Sequence, residues 1–420
     1  MAKVLVIGSG GREHAIVDAL SRSSKVSKIF CAPGNAGIAQ QAQCVPLKDT
    51  DVEGLKAFAL AEGIDLTVVG PESALAAGVV DAFRAAGLRI FGHTQAATRI
   101  ESSKEFAKEL MSKYGIPTAG YRSFCDYDEA LEYVMHRPFP AVLKYDGLAA
   151  GKGVVIAQNF REAREALAFM LLDEAFGKGR VVVEDFLEGP EFSFLCFVDG
   201  TRVYPMPLSQ DHKRAFDGDR GPNTGGMGAY TGLPFISAEE RDFALHAIME
   251  KAAAAMCAEG CPLSGVLYGG LMKTPDGVKV IEFNARFGDP ETEVVLPMLQ
   301  SDIYDIFDAV ATGTPLQCAP VWDDGVTLGV VMASEGYPGK YAKGVEINGL
   351  EDVEAKIYHM GTAVNDGRIL TAGGRVLMIV SGGTSVEDAR ERVYREVAKV
   401  KCDGLFYRHD IAHCALEEKI

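Results

Sequence analysis

The chain opens on an apolar run at residues 4–8 (VLVIG). Apolar positions at helical spacing follow over residues 12–20, and a second short apolar run covers residues 28–31. That succession is a strand–helix–strand unit. The alternation continues with a helix over 52–61, a strand over 66–69, a helix over 74–86 and a strand over 89–91. Up to about residue 100 the pattern therefore predicts an open parallel sheet with helices on both faces, of the kind that receives ligands at the carboxyl ends of its strands. A helix predicted over 101–114 meets Gly115 and Pro117, which end helices. From residue 140 to residue 204 strands dominate, and "FSFLCFV" and "RVY" are joined at Asp199-Gly200, a dipeptide suited to a tight hairpin. A helix over 237–256 begins with Ser237 and Glu240 at capping-box spacing. After it, "GVLYGGLMKT" and "VKVIEFN" flank the turn Pro275-Asp276-Gly277, and from Val326 the runs "VTLGVVMAS" and "GRVLMIVS" with a helix over 385–400 predict a final α+β unit.

Composition narrows the class. At roughly 150 residues per domain, a chain of 420 residues holds about three units. The pattern breaks divide it into 1–100, 101–325 (with a flap at about 120–190) and 326–420. With 48% hydrophobic and 24% charged residues the chain has the composition of a folded globular protein. A formal net charge of -16 disfavours nucleic acid and anionic lipid as partners, so any phosphate ligand must be met by a local cluster of cations and N–H groups. Nine cysteines without a CxxC pair read as reduced thiols, and the short apolar start is no signal-peptide core. No run is long enough to span a bilayer. The expectation is a soluble cytoplasmic protein.

Two glycine-rich stretches raise the question of phosphate. "GSGGREHA" follows a strand and opens a helix, so its N–H groups and the helix dipole favour an anion. As a dinucleotide fingerprint it fails, because Glu13 stands in place of the third glycine and "KIFCAP" ends without a ribose-holding acid. A nicotinamide oxidoreductase would rest on this turn alone; a monophosphate or sugar phosphate suits it better, and "PGNAG" and "GPE" fall at later strand ends where the same ligand would be reached. The second stretch, "LKYDGLAAGKGVVIA", is not a P-loop: its glycines are one residue too close, Gly153 replaces the hydroxyl, and a strand follows where a helix is needed. It predicts a hairpin flap able to close over a triphosphate, with Lys144 reaching inward. In "VKVIEFNARFGDPE" period-two geometry puts Glu282 and Asn284 on one strand face, about 7 Å apart, and such hard oxygen donors suit magnesium bridging nucleotide phosphates. In "VVVEDFLEGPEFS" the connector backbone at residues 185–187 could pair with an adenine edge and Glu191 could accept from ribose. His14 is a candidate general base, or equally a packing residue one turn into its helix.

Flap, connector and "EFNARFGDPE" in this order resemble the ATP-grasp ligases. With "VLVIGSGGREHA", "APGNAG", "VGPE", "SKEFAK", "YGIPTAGY", "DGLAAGKGVV", "DHKRAFDGDRGPNTGGMGAY", "SEGYPGKY" and "GLFYRHDI", nearly the whole chain resembles the phosphoribosylamine–glycine ligase family. Tyr145, Ser102 and Glu293 depart from it, standing where a small residue, Gly and Gln are usual. The resemblance implies a Rossmann-like N-terminal (pre-ATP-grasp) domain, a two-lobed ATP-grasp domain and a C-terminal α+β domain. It implies that glycine, ATP and 5-phospho-β-D-ribosylamine give glycinamide ribonucleotide, ADP and phosphate in purine biosynthesis, with magnesium or manganese and a monomer as the expected state. Another ATP-grasp ligase or carboxylase is the alternative. Carried onto this sequence, the ATP residues are Lys104, Lys144, Gly151, Lys152, Gly153, Glu184, Leu187 and Glu191, and the metal residues Glu282 and Asn284. Asp211, Lys213 and Arg286 serve glycine and catalysis, while Gly8, Gly10, Gly11, Asn35, Gly37, Gly70, Pro71 and Glu72 serve phosphoribosylamine.

Overall fold

A computed structural model describes residues 1–147, 153–173, 175 and 177–417, so Gly151 and Lys152 of the flap lie outside the described residues. Its first sheet is parallel, in the order Gln43–Cys44, Val26–Pro33, Ala2–Gly8, Leu66–Val69, Ile90–Phe91. Strand Ala2–Gly8 is central, and its alternation sorts two cores. Leu5 and Ile7 pack with Leu55, Val80 and Phe83 under the helices of one face. Val4 and Val6 belong to a cluster that runs on through Phe91, Phe197, Phe287 and Phe307, so the first unit shares its interior with the larger lobe. Two predicted helices are each broken in two. The first becomes Glu72–Ala76 and Val79–Ala85, parted by Gly78 at φ +83°, a left-handed turn that glycine adopts at no steric cost. The second is interrupted at Ser103, which turns extended and accepts the Phe106 N–H as an N-cap; Lys104–Tyr114 carries most of it, and residues 101–102 end Gln95–Ser102, a helix the pattern did not predict.

A four-stranded antiparallel sheet carries the flap, in the order Tyr121–Phe124, Val181–Asp185, Ala141–Tyr145, Val154–Ala157. One face, with Phe124, Leu143, Val181 and Val183, is covered by helices Tyr127–Met135 and Phe160–Leu167. The other face stays open. A ten-stranded sheet forms the larger lobe, built on the hairpins Glu191–Asp199/Arg202–Pro205 and Ser264–Thr274/Gly277–Asn284 at the two predicted turns. It does not stop at residue 325. Strand Val326–Ser334 pairs with Gly228–Thr231 on one side and Arg375–Gly383 on the other, so the C-terminal strands continue the same sheet, backed by helix Val386–Val397. All nine cysteines are free thiols. Among the described residues no helix is long and apolar enough to cross a membrane.

Candidate active site

The open face of the flap sheet meets the larger lobe. Strand pairing places Val142, Lys144, Val154, Ile156, Val182 and Glu184 on that face, and Val154 and Ile156 remain exposed there, an apolar shelf of the kind that accepts a flat ring. Lys144 Nζ reaches across and donates to the Ile281 carbonyl at 2.9 Å, joining the shelf to the strand of Glu282. Glu184 does not point at an open ligand. Its carboxylate is buried between Lys108 Nζ at 2.9 Å and Lys144 Nζ at 3.0 Å, the latter an ion pair without hydrogen-bond alignment. Burial draws Lys108 down to about 8 despite Glu184. Lys108 is absent from the sequence-derived set, although it lies one helical turn after Lys104 on Lys104–Tyr114, the spacing that puts two side chains on one face. Lys104 itself donates to the Gly147 carbonyl at the flap's base, Gly153 O accepts the Tyr145 N–H, Leu187 is half-buried in the connector, and exposed Glu191 pairs with Lys213 at 3.0 Å. The nucleoside and glycine candidates thus touch.

On the larger lobe, Tyr268 pairs directly with Asn284 and Gly270 with Glu282, so Glu282, Asn284 and Tyr268 share one face of the sheet. The Glu282 carboxyl sits below its ordinary range: burial would raise it, and Lys213, Lys144, Lys104 and Arg286 outweigh burial. Asn284 Oδ1 accepts from Arg286 at 3.2 Å. An ionised carboxylate and an amide oxygen fit a magnesium ion that completes its shell with water and phosphate. Among the described residues there is no cluster of three or more His, Cys, Asp or Glu arranged for a metal. Arg286 is pinned by Glu101 at 3.2 Å and Glu72 at 3.4 Å, which hold its guanidinium charged against burial. Asp211 is half-buried with Oδ1 unpartnered, and burial followed by Glu291 pushes its carboxyl well up. Burial alone would lower Lys213, but Glu191 and the other carboxylates raise it.

The N-terminal candidates gather at the carboxyl ends of three parallel strands, with Gly8 ending the first, Asn35 and Gly37 after the second, and Gly70, Pro71 and Glu72 after the third. The anion expected in the glycine turn is supplied by the chain itself. Glu13 Oε2 accepts from Gly10 N at 2.6 Å and Ser9 N at 3.2 Å, and a Cβ added at Gly8 or Gly70 would overlap the Glu13 side chain. The glycines make room for a buried carboxylate whose other oxygen holds Arg12 at 2.6 Å, and Arg12 in turn donates to the Phe287 carbonyl. Asn35 is likewise engaged, donating to Ser9 O and His359 O and accepting from Gly37 N and Ile38 N. Gly11 lies against Glu293 and Met360. His14 is a packing residue: its Nδ1 accepts the His359 N–H at 2.8 Å, and burial holds it down to about 3, so it stays neutral.

A small sheet with an apolar shelf, set over a larger sheet whose edge strand presents oxygen donors, defines the ATP-grasp class. Solved structures agree on the fold: the biotin carboxylase domain of a 2-oxoglutarate carboxylase from Hydrogenobacter thermophilus, in complex with MgADP, aligns at TM-score 0.76 and 17% identity over 97% of this chain and 91% of that one. Within the class, three family profiles described as phosphoribosylglycinamide synthetase match in series, the N domain over residues 2–101, the ATP-grasp (A) domain over 102–292 and the C domain over 327–414. The chain belongs to the phosphoribosylglycinamide synthetase family. It is 49% identical over 413 residues to a phosphoribosylamine–glycine ligase of Caldanaerobacter subterraneus, spanning 98% of this chain and 99% of the relative. Identity is 49% over 420 residues to that of Halalkalibacterium halodurans, covering 99% and 98%. A crystal structure of the Thermotoga maritima phosphoribosylamine–glycine ligase aligns at TM-score 0.86 and 33% identity, covering 98% of this chain and 100% of that one.

Proposed function

We infer that this chain is an ATP-dependent carbon–nitrogen ligase that joins glycine to 5-phospho-β-D-ribosylamine, giving glycinamide ribonucleotide, ADP and phosphate in purine biosynthesis. The observation that carries the reading is end-to-end identity of 49% with relatives of that name. The cleft supplies matching chemistry. A carboxylate is a poor electrophile, so glycine must first become glycyl phosphate, whose carbonyl the amine then attacks. No protein nucleophile is needed, and the enzyme's work is positioning and charge neutralisation. Lys144 and Lys104 face the triphosphate from shelf and flap base, Val154 and Ile156 flank the base, and the connector at Leu187 offers its backbone to the adenine edge. Glu282 and Asn284 would hold magnesium, which neutralises phosphate charge when bound. Arg286, fixed by Glu72 and Glu101, serves the glycine carboxylate, and Asp211 with Lys213 borders the same pocket. Phosphoribosylamine sits at the strand ends by Asn35, Gly70 and Glu72. The flap between Tyr145 and Gly153 keeps water from an unstable acyl phosphate. The working division of the chain is 1–100, 101–325 and 326–420, and a cytoplasmic monomer is the working state.

The test is ADP release with freshly generated phosphoribosylamine, each substrate omitted in turn and bicarbonate offered in place of glycine. Release that needs glycine, and its loss in Glu282→Ala with the fold intact, supports the reading. Release with bicarbonate instead would point to a carboxylase.

A further inference from the structure

Most acids around the cleft have a cation. Glu184 has Lys108 and Lys144, Glu191 has Lys213, Glu72 and Glu101 share Arg286, and Asp289 has Arg375. Glu282 and Glu293 form no ion pair among the described residues, and neither do Asp211 and Glu291; Asp211 Oδ1 also lacks any hydrogen-bond donor. Asp211 and Glu291 lie close together. A Cβ added at Gly226 would overlap both Asp211 and Pro290, the residue before Glu291.

Glu291 is also oriented. Its Oε1 accepts from Ser193 Oγ and from Tyr268 OH, both at 2.9 Å, and the two hydroxyls are themselves 2.9 Å apart. Ser193 and Tyr268 come from adjacent antiparallel strands, with Leu195 opposite Tyr268, so both project from one face of the large sheet. Asp211 belongs to that face as well, since Ser209 pairs with Ser193 and Asp211 lies two residues further along its strand. So does Asn284, opposite Tyr268. The hydroxyl donors are neutral, and the cations that act on the two acids, Arg286 on Glu291 and Lys213 with Arg375 on Asp211, form no direct ion pair with them. The hydroxyls occupy one oxygen of Glu291 and leave Oε2, which lies beside Gly288.

We propose that Glu291, oriented by Tyr268 and Ser193, is the second carboxylate of a pocket that takes the ammonium group of glycine, opposite Asp211. Two apposed carboxyls without a direct ion-pair partner favour an ammonium ion, which answers the charge of both, and disfavour a neutral hydroxyl, which answers neither. The pocket therefore selects an amino acid over a hydroxy acid, and Gly226 and Gly288, where added Cβ atoms would overlap Asp211 and Glu291, keep the backbone close to both carboxylates. Glu291 touches substrate in this arrangement; Tyr268 and Ser193 are positioning residues. The inference rests on the ligase reading of the cleft.

The experiment compares glycine with glycolate, which carries a hydroxyl in place of the ammonium, as the substrate for ADP release in wild type, Glu291→Gln and Tyr268→Phe. In Glu291→Gln the glycine KM is expected to rise on the order of tenfold to a hundredfold, the loss of a charge-assisted contact. The ATP KM should hold and the preference for glycine over glycolate should narrow. Tyr268→Phe keeps the charge and loosens its orientation, so a smaller change in the same direction is expected. A folded Glu291→Gln with unchanged glycine KM and unchanged preference overturns the proposal, as does a Tyr268→Phe that alters kcat alone. Wild type that releases no ADP in response to glycine would remove the ligase reading, and the inference with it.

Discussion

Single residues at this site show what a sequence can and cannot say. Lys144, Glu282 and Asn284 were legible because strand period fixes which face a side chain takes, and their cross-cleft placement follows from it. Glu13 was not: a glycine turn announces only that something approaches the backbone closely, and here the visitor is the chain's own carboxylate. Glu291 and Tyr268 were hidden for another reason, since their meeting with Ser193 depends on register between distant strands. Glu293 is a further buried acid, fully covered, with neither oxygen hydrogen-bonded, beside Gly11, Asp289, Glu291 and Arg375. Burial, followed by Asp289, raises its carboxyl well above the usual range. The native chain therefore holds a proton that the unfolded chain releases, so this group's contribution to stability is full below the ordinary carboxylate range and falls as pH rises through the folded value. Glu293→Gln should remove that slope and raise the melting temperature at neutral pH by about 2 °C or more, with a gain over wild type that shrinks toward pH 4. Thermal unfolding across pH checks it; a gain that does not vary with pH would contradict it.

At the scale of elements, the hairpin Arg214–Phe216/Arg220–Asn223 follows Asp211 and Lys213 directly, and so short a two-stranded ribbon has little stability of its own. The C-terminal segment holds it. Arg408 is 1% exposed, pairs with both oxygens of Asp410 at 2.7 Å, and donates to Asp219 Oδ1 at 2.8 Å and Arg214 O at 3.0 Å. Asp410 accepts the Gly218 N–H, and the His409 N–H donates to Asp217. "DHKRAFDGDRGPNTGG" and "GLFYRHDI" are thus two halves of one clamp, which no reading of either stretch alone reveals. Arg408→Gln takes the buried guanidinium away from half-buried Asp410 and exposed Asp219, a loss of about 1–3 kcal/mol for hydrogen bonds to a charged group. Amide exchange across residues 214–223 should accelerate, and the glycine KM should rise more than the ATP KM. Unchanged exchange in that hairpin would show that the clamp is idle. The helices broken at Gly78 and Ser103 teach the converse: each lies inside a range predicted as one helix, and backbone chemistry at a single residue interrupts it.

Over the whole molecule the sequence conveyed composition and class well, and connectivity between units less well. A parallel sheet, a flap and a final α+β unit follow from local period. That the C-terminal strands extend the large sheet, and that Phe197, Phe287 and Phe307 continue the core of Val4 and Val6, are long-range pairings without a local mark. They matter for function because Arg12, tied to Phe287 O, and Arg375, tied to Gly225 O and Asp289 O, fix the three units around one cleft. The cleft's task is to move a phosphoryl group from ATP to the carboxylate of glycine before the amine attacks. Turnover with glycine labelled by heavy oxygen in its carboxylate tests this most directly. Transfer of one labelled oxygen into the released inorganic phosphate is the expected result, and phosphate free of label would contradict activation through glycyl phosphate.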